Sequence, residues 1–183
     1  MANVLHFRDD IAGLAAVAAP NSSMEIMLEQ GSEMIGGAIY TQVPFIWLYE
    51  RLVFGKAASF TAVDALNKTT IPALIIHGTR DSTVKFDGSG IMGHRHQITN
   101  PNVQFIVLDE EERSGHNNIL RSLDSIHYTN QLNAELKALS SQYNGGIPSE
   151  RKKEFFARID KAAANEVNRE LMDTIHRFFL SCL

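Results

Sequence analysis

Three largely apolar runs, each bounded by turn-forming residues, stand out along the chain. They cover residues 11–20, ending at Pro20, residues 71–78, ending at Gly78, and residues 103–108. Continuous apolar runs of this kind are typical of strands buried on both faces of a parallel sheet. A short buried helix would give 11–20 the same pattern, but we interpret all three runs as strands.

Apolar residues elsewhere recur at helical spacing, which predicts helices between and after the strands. The segments concerned are residues 22–56, which are rich in Met, aromatic residues and Gly, then 62–67, 88–97, 119–143 before Asn144-Gly-Gly146, a helix from Pro148, and a last one with Val167, Leu171, Ile175, Phe178 and Phe179 on one stripe. Strands that alternate with helices predict the α/β class, with about three parallel core strands and a mostly helical stretch over 115–183. No linker or repeat interrupts the chain, so we expect a single domain over residues 1–183.

Composition narrows the class of protein. The chain has 183 residues, 44% of them hydrophobic, and a net charge of −4, so nothing favours a nucleic-acid partner. The single cysteine, Cys182, forms no internal disulfide and is expected to be a buried, inert thiol in a reducing compartment. The amino terminus lacks a secretory pattern and residues 11–20 are too short to span a bilayer, which predicts a cytoplasmic protein.

Two loops are placed where a parallel sheet collects its functional side chains. One follows residues 71–78 and contains Asp81, and the other follows residues 103–108 and contains His116. The carboxyl ends of parallel strands converge on one crevice. A carboxylate after one strand and a histidine after the next can orient and stabilise an imidazole that works as a base.

The residues around Asp81 resemble a specific family. The run Ile-Pro-Ala-Leu-Ile-Ile-His-Gly-Thr-Arg-Asp-Ser-Thr-Val over 71–84 is similar to the α/β-hydrolase segment that ends the penultimate core strand, and Gly115-His116 is similar to the "GH" after the last one. The resemblance covers roughly the second half of a family member. It implies that Asp81 is the triad acid, that His116 is the base, that residues 11–20 form the strand after the nucleophile's helix, and that residues 22–56 form a lid-like helical insertion.

The sequence does not contain the pattern that marks the serine nucleophile of this family. No G-x-S-x-G turn is found in the 183 residues, and the oxyanion hole that such a turn helps to build is missing with it. Ser89 lies after Asp81 and lacks the leading glycine, and neither Ser22 nor Ser23 is surrounded by an elbow. We therefore expect this chain alone to be a poor hydrolase.

A missing elbow strand would leave the first strand without a partner on one side. An apolar strand with an open edge needs a cover. Three covers are open: the remainder of a longer protein, a second copy in a symmetric homodimer through the edge at residues 11–18, or a separate chain.

Other candidates have weaker support. His77 ends a buried strand and is expected to pack or hydrogen-bond beneath the crevice. His94 and His96 have H-x-H spacing, but residues two apart do not share a helix face, so we predict no metal site. No G-x-G-x-x-G turn supports a dinucleotide cofactor, and no other cofactor is expected. The Met and aromatic residues of 22–56 either line an acyl pocket or pack as core.

The sequence therefore predicts an esterase-like or lipase-like hydrolase of small acyl substrates, to which this chain contributes only Asp81 and His116. The alternative is a truncated, catalytically silent relative that acts as a binding or assembly module. The sequence leaves open which of the two applies, the substrate, and whether the chain is a fragment.

Overall fold

The chain adopts an α/β arrangement around a three-stranded parallel sheet, as seen in a computed structural model that describes residues 2–8 and 10–183. The strands are β1 (Leu14–Val17), β2 (Ala73–Gly78) and β3 (Val103–Leu108), in the order β1-β2-β3. Leu14 is opposite Ala73, and Ala73 is opposite Val103. The predicted class and the three predicted strands are confirmed, although β1 is shorter than the apolar run that contains it.

The three strands differ in burial because of their places in the sheet. Every residue of the central strand β2 is buried, which is why its sequence is apolar without alternation. Along β1, buried and half-buried positions alternate, and β3 exposes Phe105 and Val107. Among the described residues β1 pairs with β2 alone, so its other edge is open.

The described residues group into two compact units. The first extends to Ile119 and also includes Thr174–Leu183. Besides the sheet it contains α1 (Ser23–Ile35), α2 (Val43–Phe54) and α3 (Ala62–Asn67), with 3₁₀-helices at Ala2–His6, Gly36–Gln42, Gly55–Ser59 and Ile91–Gln97. Its core joins the inner face of the sheet to α3 and the last 3₁₀-helix through Ala16, Leu66, Ile75, Ile91 and Met92.

The second unit, Leu120–Asp173, is helical. It contains α4 (Leu123–Gln142), α5 (Ser149–Ala157), α6 (Lys161–Ala164) and the first residues of α7 (Arg169–Ser181). The Arg121 guanidinium donates to the carbonyl oxygen of Ala164 at 2.7 Å and to Ser125 Oγ at 3.0 Å, which ties α4 to α6. The sequence-based expectation of one domain stays a prediction.

Several details depart from the sequence-based expectations. The helix predicted over 88–97 is a 3₁₀-helix that begins at Ile91, because Gly88 and Gly90 close a turn onto Lys85 before it. The helix predicted from Ile119 begins at Leu123, where Ser122 caps it through a hydrogen bond from the backbone N–H of Ser125. Cys182 is half-buried rather than buried, with its Sγ close to Gly13.

The Met and aromatic residues of 22–56 form helices, as predicted, but most of them do not pack as core. No residue of α1 is fully buried, and the buried residue of α2 is Glu50. The exposed large side chains are Met27, Met34, Ile35, Tyr40, Phe45, Trp47, Leu48, Tyr49, Leu52, Val53 and Phe54.

Among the described residues, no helix combines the length and the apolar character needed to cross a bilayer.

Candidate active site

Asp81 sits in the turn that follows β2, and its carboxylate is fully buried. Its Oδ1 accepts hydrogen bonds from the backbone N–H groups of Thr83, at 2.9 Å, and Val84, at 2.8 Å. An aspartate that accepts bonds from the residues two and three positions ahead closes a local turn. The turn fixes one carboxylate oxygen and leaves Oδ2 for other partners.

His116 is brought to Asp81 by the loop that leaves β3. Its Nδ1 lies 2.8 Å from Asp81 Oδ2, across 35 residues of sequence. The imidazole side chain is 31% exposed, whereas that of Asp81 is 0% exposed. The two side chains that the sequence nominated are therefore in direct contact, with the acid beneath and the imidazole reaching the surface.

The approach of the two loops depends on Gly78, the last residue of β2. A Cβ placed on Gly78 would lie 2.1 Å from the carbonyl oxygen of Ser114. That carbonyl also accepts the backbone N–H of Arg80 at 3.2 Å, and the N–H of Thr79 donates to Leu108 at 2.9 Å. The absence of a side chain at residue 78 lets the His116 loop lie directly against the Asp81 turn.

His77 supports Asp81 from below, as a packed and hydrogen-bonded residue of β2. Its ring is fully buried, with Nε2 2.8 Å from the carbonyl oxygen of Val84 and 3.3 Å from Asp81 Oδ2. Because a carbonyl oxygen only accepts, Nε2 must carry the proton. Nδ1 is buried and has no hydrogen-bond partner among the described residues. The sequence indicated this role only through the position of His77 at the end of a buried strand.

The contact between Asp81 and His116 has a chemical consequence. A carboxylate accepts only, so Nδ1 of His116 carries the proton that points at Asp81. The lone pair of a neutral ring is then on Nε2, the nitrogen that could take a proton from another group. Asp81 would stabilise the imidazolium formed by that transfer.

None of the candidate serines hydrogen-bonds to this pair in the part of the chain that the structure describes. Ser22 caps α1: its Oγ accepts the N–H of Glu25 at 3.2 Å and donates to the Glu25 carboxylate at 3.0 Å. Ser23 is the first residue of that helix, and Ser89 Oγ donates to Glu29 at 2.8 Å. Ser114 is fully buried, and its Oγ has no hydrogen-bond partner among the described residues.

The two histidines of the H-x-H pair, His94 and His96, differ in their surroundings. His94 Nε2 lies 2.7 Å from the Glu25 carboxylate, and Gln97 contacts its Nδ1 at 3.2 Å, whereas His96 is exposed. Within residues 2–8 and 10–183, no three His, Cys, Asp or Glu side chains come together as metal ligands.

A second polar cluster, which the sequence did not indicate, surrounds Glu29. Its carboxylate accepts the backbone N–H groups of Lys85 and Ser89, each at 2.9 Å, in addition to the Ser89 hydroxyl. Burial alone would raise the pKa of Glu29, but these hydrogen bonds and the nearby Lys85 charge hold the pKa below its ordinary value. The cluster ties α1 to the loop that follows the Asp81 turn.

Comparisons of the chain with family models, curated proteins and solved structures found no significant match.

Proposed function

We propose that this chain supplies the acid and the base of a hydrolase of the α/β-hydrolase type, which acts on an ester or other acyl substrate by a Ser-His-Asp mechanism. The observation that carries the proposal is the 2.8 Å contact between His116 Nδ1 and the buried Asp81 Oδ2. It occurs at the carboxyl ends of two adjacent parallel strands, where α/β proteins place their ligand crevices.

In the proposed reaction His116 Nε2 takes the proton of a serine hydroxyl as that oxygen attacks the acyl carbon. It then returns the proton to the leaving group. Asp81 orients the imidazole through Nδ1 and stabilises its charged form. His77 and the N–H groups of Thr83 and Val84 hold the carboxylate in place. No step requires a cofactor.

The serine and the oxyanion hole would come from outside the described residues. The open edge of β1 supports this proposal, because a strand that ends in a nucleophile elbow would pair there in the family that the sequence resembles. We further propose that residues 22–56 act as a lid over the completed site. A cytoplasmic location and a homodimer through residues 11–18 stay predictions.

The first test asks whether this chain holds a nucleophile of its own. The purified chain and an Asp81→Ala/His116→Ala double variant are compared in the hydrolysis of a short-chain p-nitrophenyl ester. We expect equal background rates, because no serine of the described residues hydrogen-bonds to His116. A clear excess for the native chain would reveal a nucleophile within it.

The second test uses the chain together with whatever pairs with it. The chain is isolated from the cells that produce it under native conditions, and serine nucleophiles in the preparation are labelled with a fluorophosphonate. We expect labelling that disappears in His116→Ala but persists in His96→Ala, which removes an exposed histidine instead. Absent labelling, or labelling that does not depend on His116, would contradict the proposal.

One observation favours the alternative of a catalytically silent binding or assembly module. His116 makes no side-chain hydrogen bond to a serine anywhere in the described residues, while the sheet edge at β1 remains free to pair. An inactive, unlabelled complex that still assembles through β1 would establish this second function in place of the first.

A further inference from the structure

Helix α2 exposes large apolar and aromatic residues to solvent around most of its circumference. Phe45, Leu48, Tyr49 and Leu52 follow the i, i+3, i+4, i+7 spacing that places residues on one helix face, and each is at least half exposed. Leu52 is the most exposed of the four, at 78%. We call these four residues the α2 stripe. An apolar stripe normally faces a protein core, so this orientation requires another apolar environment.

The opposite face of α2 contains its acidic residue. Glu50 is 1% exposed, and its Oε1 has no hydrogen-bond partner among the described residues. Helix α2 lies against the neighbouring 3₁₀-helices and, over a smaller contact, against α1. The only carboxylate of the helix is therefore withdrawn from the surface that bears the α2 stripe.

The exposed charged residues in the segment around the stripe all have one sign. Residues 34–59, all of which the structure describes, contain three charged side chains: Glu50, Arg51 and Lys56. With Glu50 buried, the two exposed ones are cationic. Arg51 lies over the ring of Trp47 at 5.9 Å and donates to the carbonyl oxygen of Gly55 at 3.1 Å, so its charge is held near the end of the stripe.

We propose that α2 docks on an anionic lipid surface, with the α2 stripe at the boundary between headgroups and acyl chains. Arg51 and Lys56 would contact lipid phosphates, because basic residues near an anionic leaflet strengthen binding. Trp47, Tyr49 and Tyr40 are the residue types that favour this boundary. A second copy of the chain would instead bring Arg51 and Lys56 towards an identical cationic surface.

The sole tryptophan of the chain provides a direct probe, since Trp47 lies in α2. The purified chain is mixed with vesicles of phosphatidylcholine alone, and with vesicles that also contain phosphatidylglycerol. We expect Trp47 emission to move to shorter wavelength and the chain to float with the anionic vesicles only. No shift with either vesicle would overturn the proposal, and so would a shift without vesicles that grows with protein concentration, which indicates self-association.

Variants test whether vesicle binding depends on the α2 stripe and on the cationic residues, rather than on exposed apolar residues in general. Leu48→Glu/Leu52→Glu should weaken vesicle binding more than tenfold, because it places two carboxylates on the docking face. Leu180→Glu/Leu183→Glu changes two exposed leucines elsewhere and should bind as the native chain does. Lys56→Gln, which leaves the stripe intact, should weaken binding about fivefold. Equal losses in the two leucine pairs, or no effect of Lys56→Gln, would contradict docking through α2.

Docking does not depend on the proposed hydrolase chemistry. His116→Ala leaves α2 unchanged, so this variant should bind anionic vesicles normally. Vesicle binding that is lost in His116→Ala would show that the surface has been misassigned. Intact vesicle binding together with absent or His116-independent fluorophosphonate labelling would refute the hydrolase proposal alone.

Discussion

At the scale of single residues, the meeting of Asp81 and His116 depends on a position that carries no side chain. Gly78 lies where the turn after β2 passes the backbone of Ser114, and the nearest carbonyl oxygen would be 2.1 Å from an added Cβ. Gly115, beside His116 in the other loop, has open space around its Cβ position. Of these two glycines, only Gly78 is needed for the two loops to lie in contact.

This difference gives a paired prediction. Gly78→Ala should lower the free energy of unfolding by about 2–3 kcal/mol, because a methyl group forced against backbone displaces one loop from the other. Gly115→Ala should change it by less than about 0.5 kcal/mol. Urea unfolding followed by circular dichroism measures both. Equal effects of the two substitutions would mean that the loops do not approach as closely as described.

At the scale of elements, α1 is fastened to the loop after the Asp81 turn through Glu29. The carboxylate receives two backbone N–H groups and one hydroxyl from Lys85 and Ser89. The folded state therefore favours the ionised form, and the pKa of Glu29 is lowered despite its burial. A lowered pKa contributes stability that is present above the unfolded pKa and is lost as the pH falls through the folded one.

We predict that Glu29→Gln lowers the free energy of unfolding by about 1–2 kcal/mol at neutral pH, since hydrogen bonds to a charged acceptor are lost. The difference from the native chain should shrink as the pH falls below 4.5, the ordinary pKa of a glutamate. Chemical unfolding at several pH values measures it. Glu33→Gln is the control, because its ion pair with Lys85 is half-exposed and should contribute under about 1 kcal/mol. A difference in unfolding free energy that grows as the pH falls would contradict the lowered pKa of Glu29.

The elements that the sequence predicted best are those whose environment is uniform. β2 is buried on both faces, so its apolar run marked the strand directly. The orientation of α2 was not predictable, because hydrophobic spacing shows which residues share a face but not whether that face is covered. The 3₁₀-helix at Ile91–Gln97 was predicted only as a helix, since its hydrogen-bond pattern leaves little trace in apolar spacing.

The sequence predicted the part of the candidate site that lies at the carboxyl ends of the strands. Asp81 and His116 follow adjacent parallel strands, and their contact is seen in the structure. The contacts that support Asp81 and the neighbouring loop could not be predicted from the sequence, because they depend on how turns fold back onto other residues. His77 reaches Val84 through the turn, and Glu29 meets Lys85 and Ser89 across more than fifty residues of sequence.

At the scale of the whole molecule, the sheet formed by the described residues is open along both outer strands, and β1 is the one that bears on assembly. Leu14 and Ala18 donate their N–H groups to Pro72 and Ile76 of the neighbouring chain segment. Successive residues of a strand direct their N–H groups to opposite sides, so those of Ala15 and Val17 point to the open edge. Unpaired backbone groups of this kind are a template for another strand.

If a homodimer forms through residues 11–18, light scattering should give twice the mass of the chain, and the amides of Ala15 and Val17 should exchange slowly with solvent. Exchange of Ala16 serves as the internal reference, because its N–H lies on the β2 side. A monomeric mass together with fast exchange at Ala15 and Val17 would exclude the homodimer and leave the edge to the remainder of a longer protein or to a separate chain.

The parallel arrangement of the strands also bears on the order in which the sheet assembles. Pairing Ala73 with Val103 closes a loop of about 30 residues, whereas pairing Leu14 with Ala73 closes one of about 60. Doubling a loop adds about 0.6 kcal/mol of closure entropy, and the pairing of β1 is also the shorter of the two. We therefore expect β2 and β3 to form the folding nucleus and β1 to join last, an order that pulse-labelled exchange during refolding would record. The free edge of β1 is then the one that stays available for another strand longest while the chain folds.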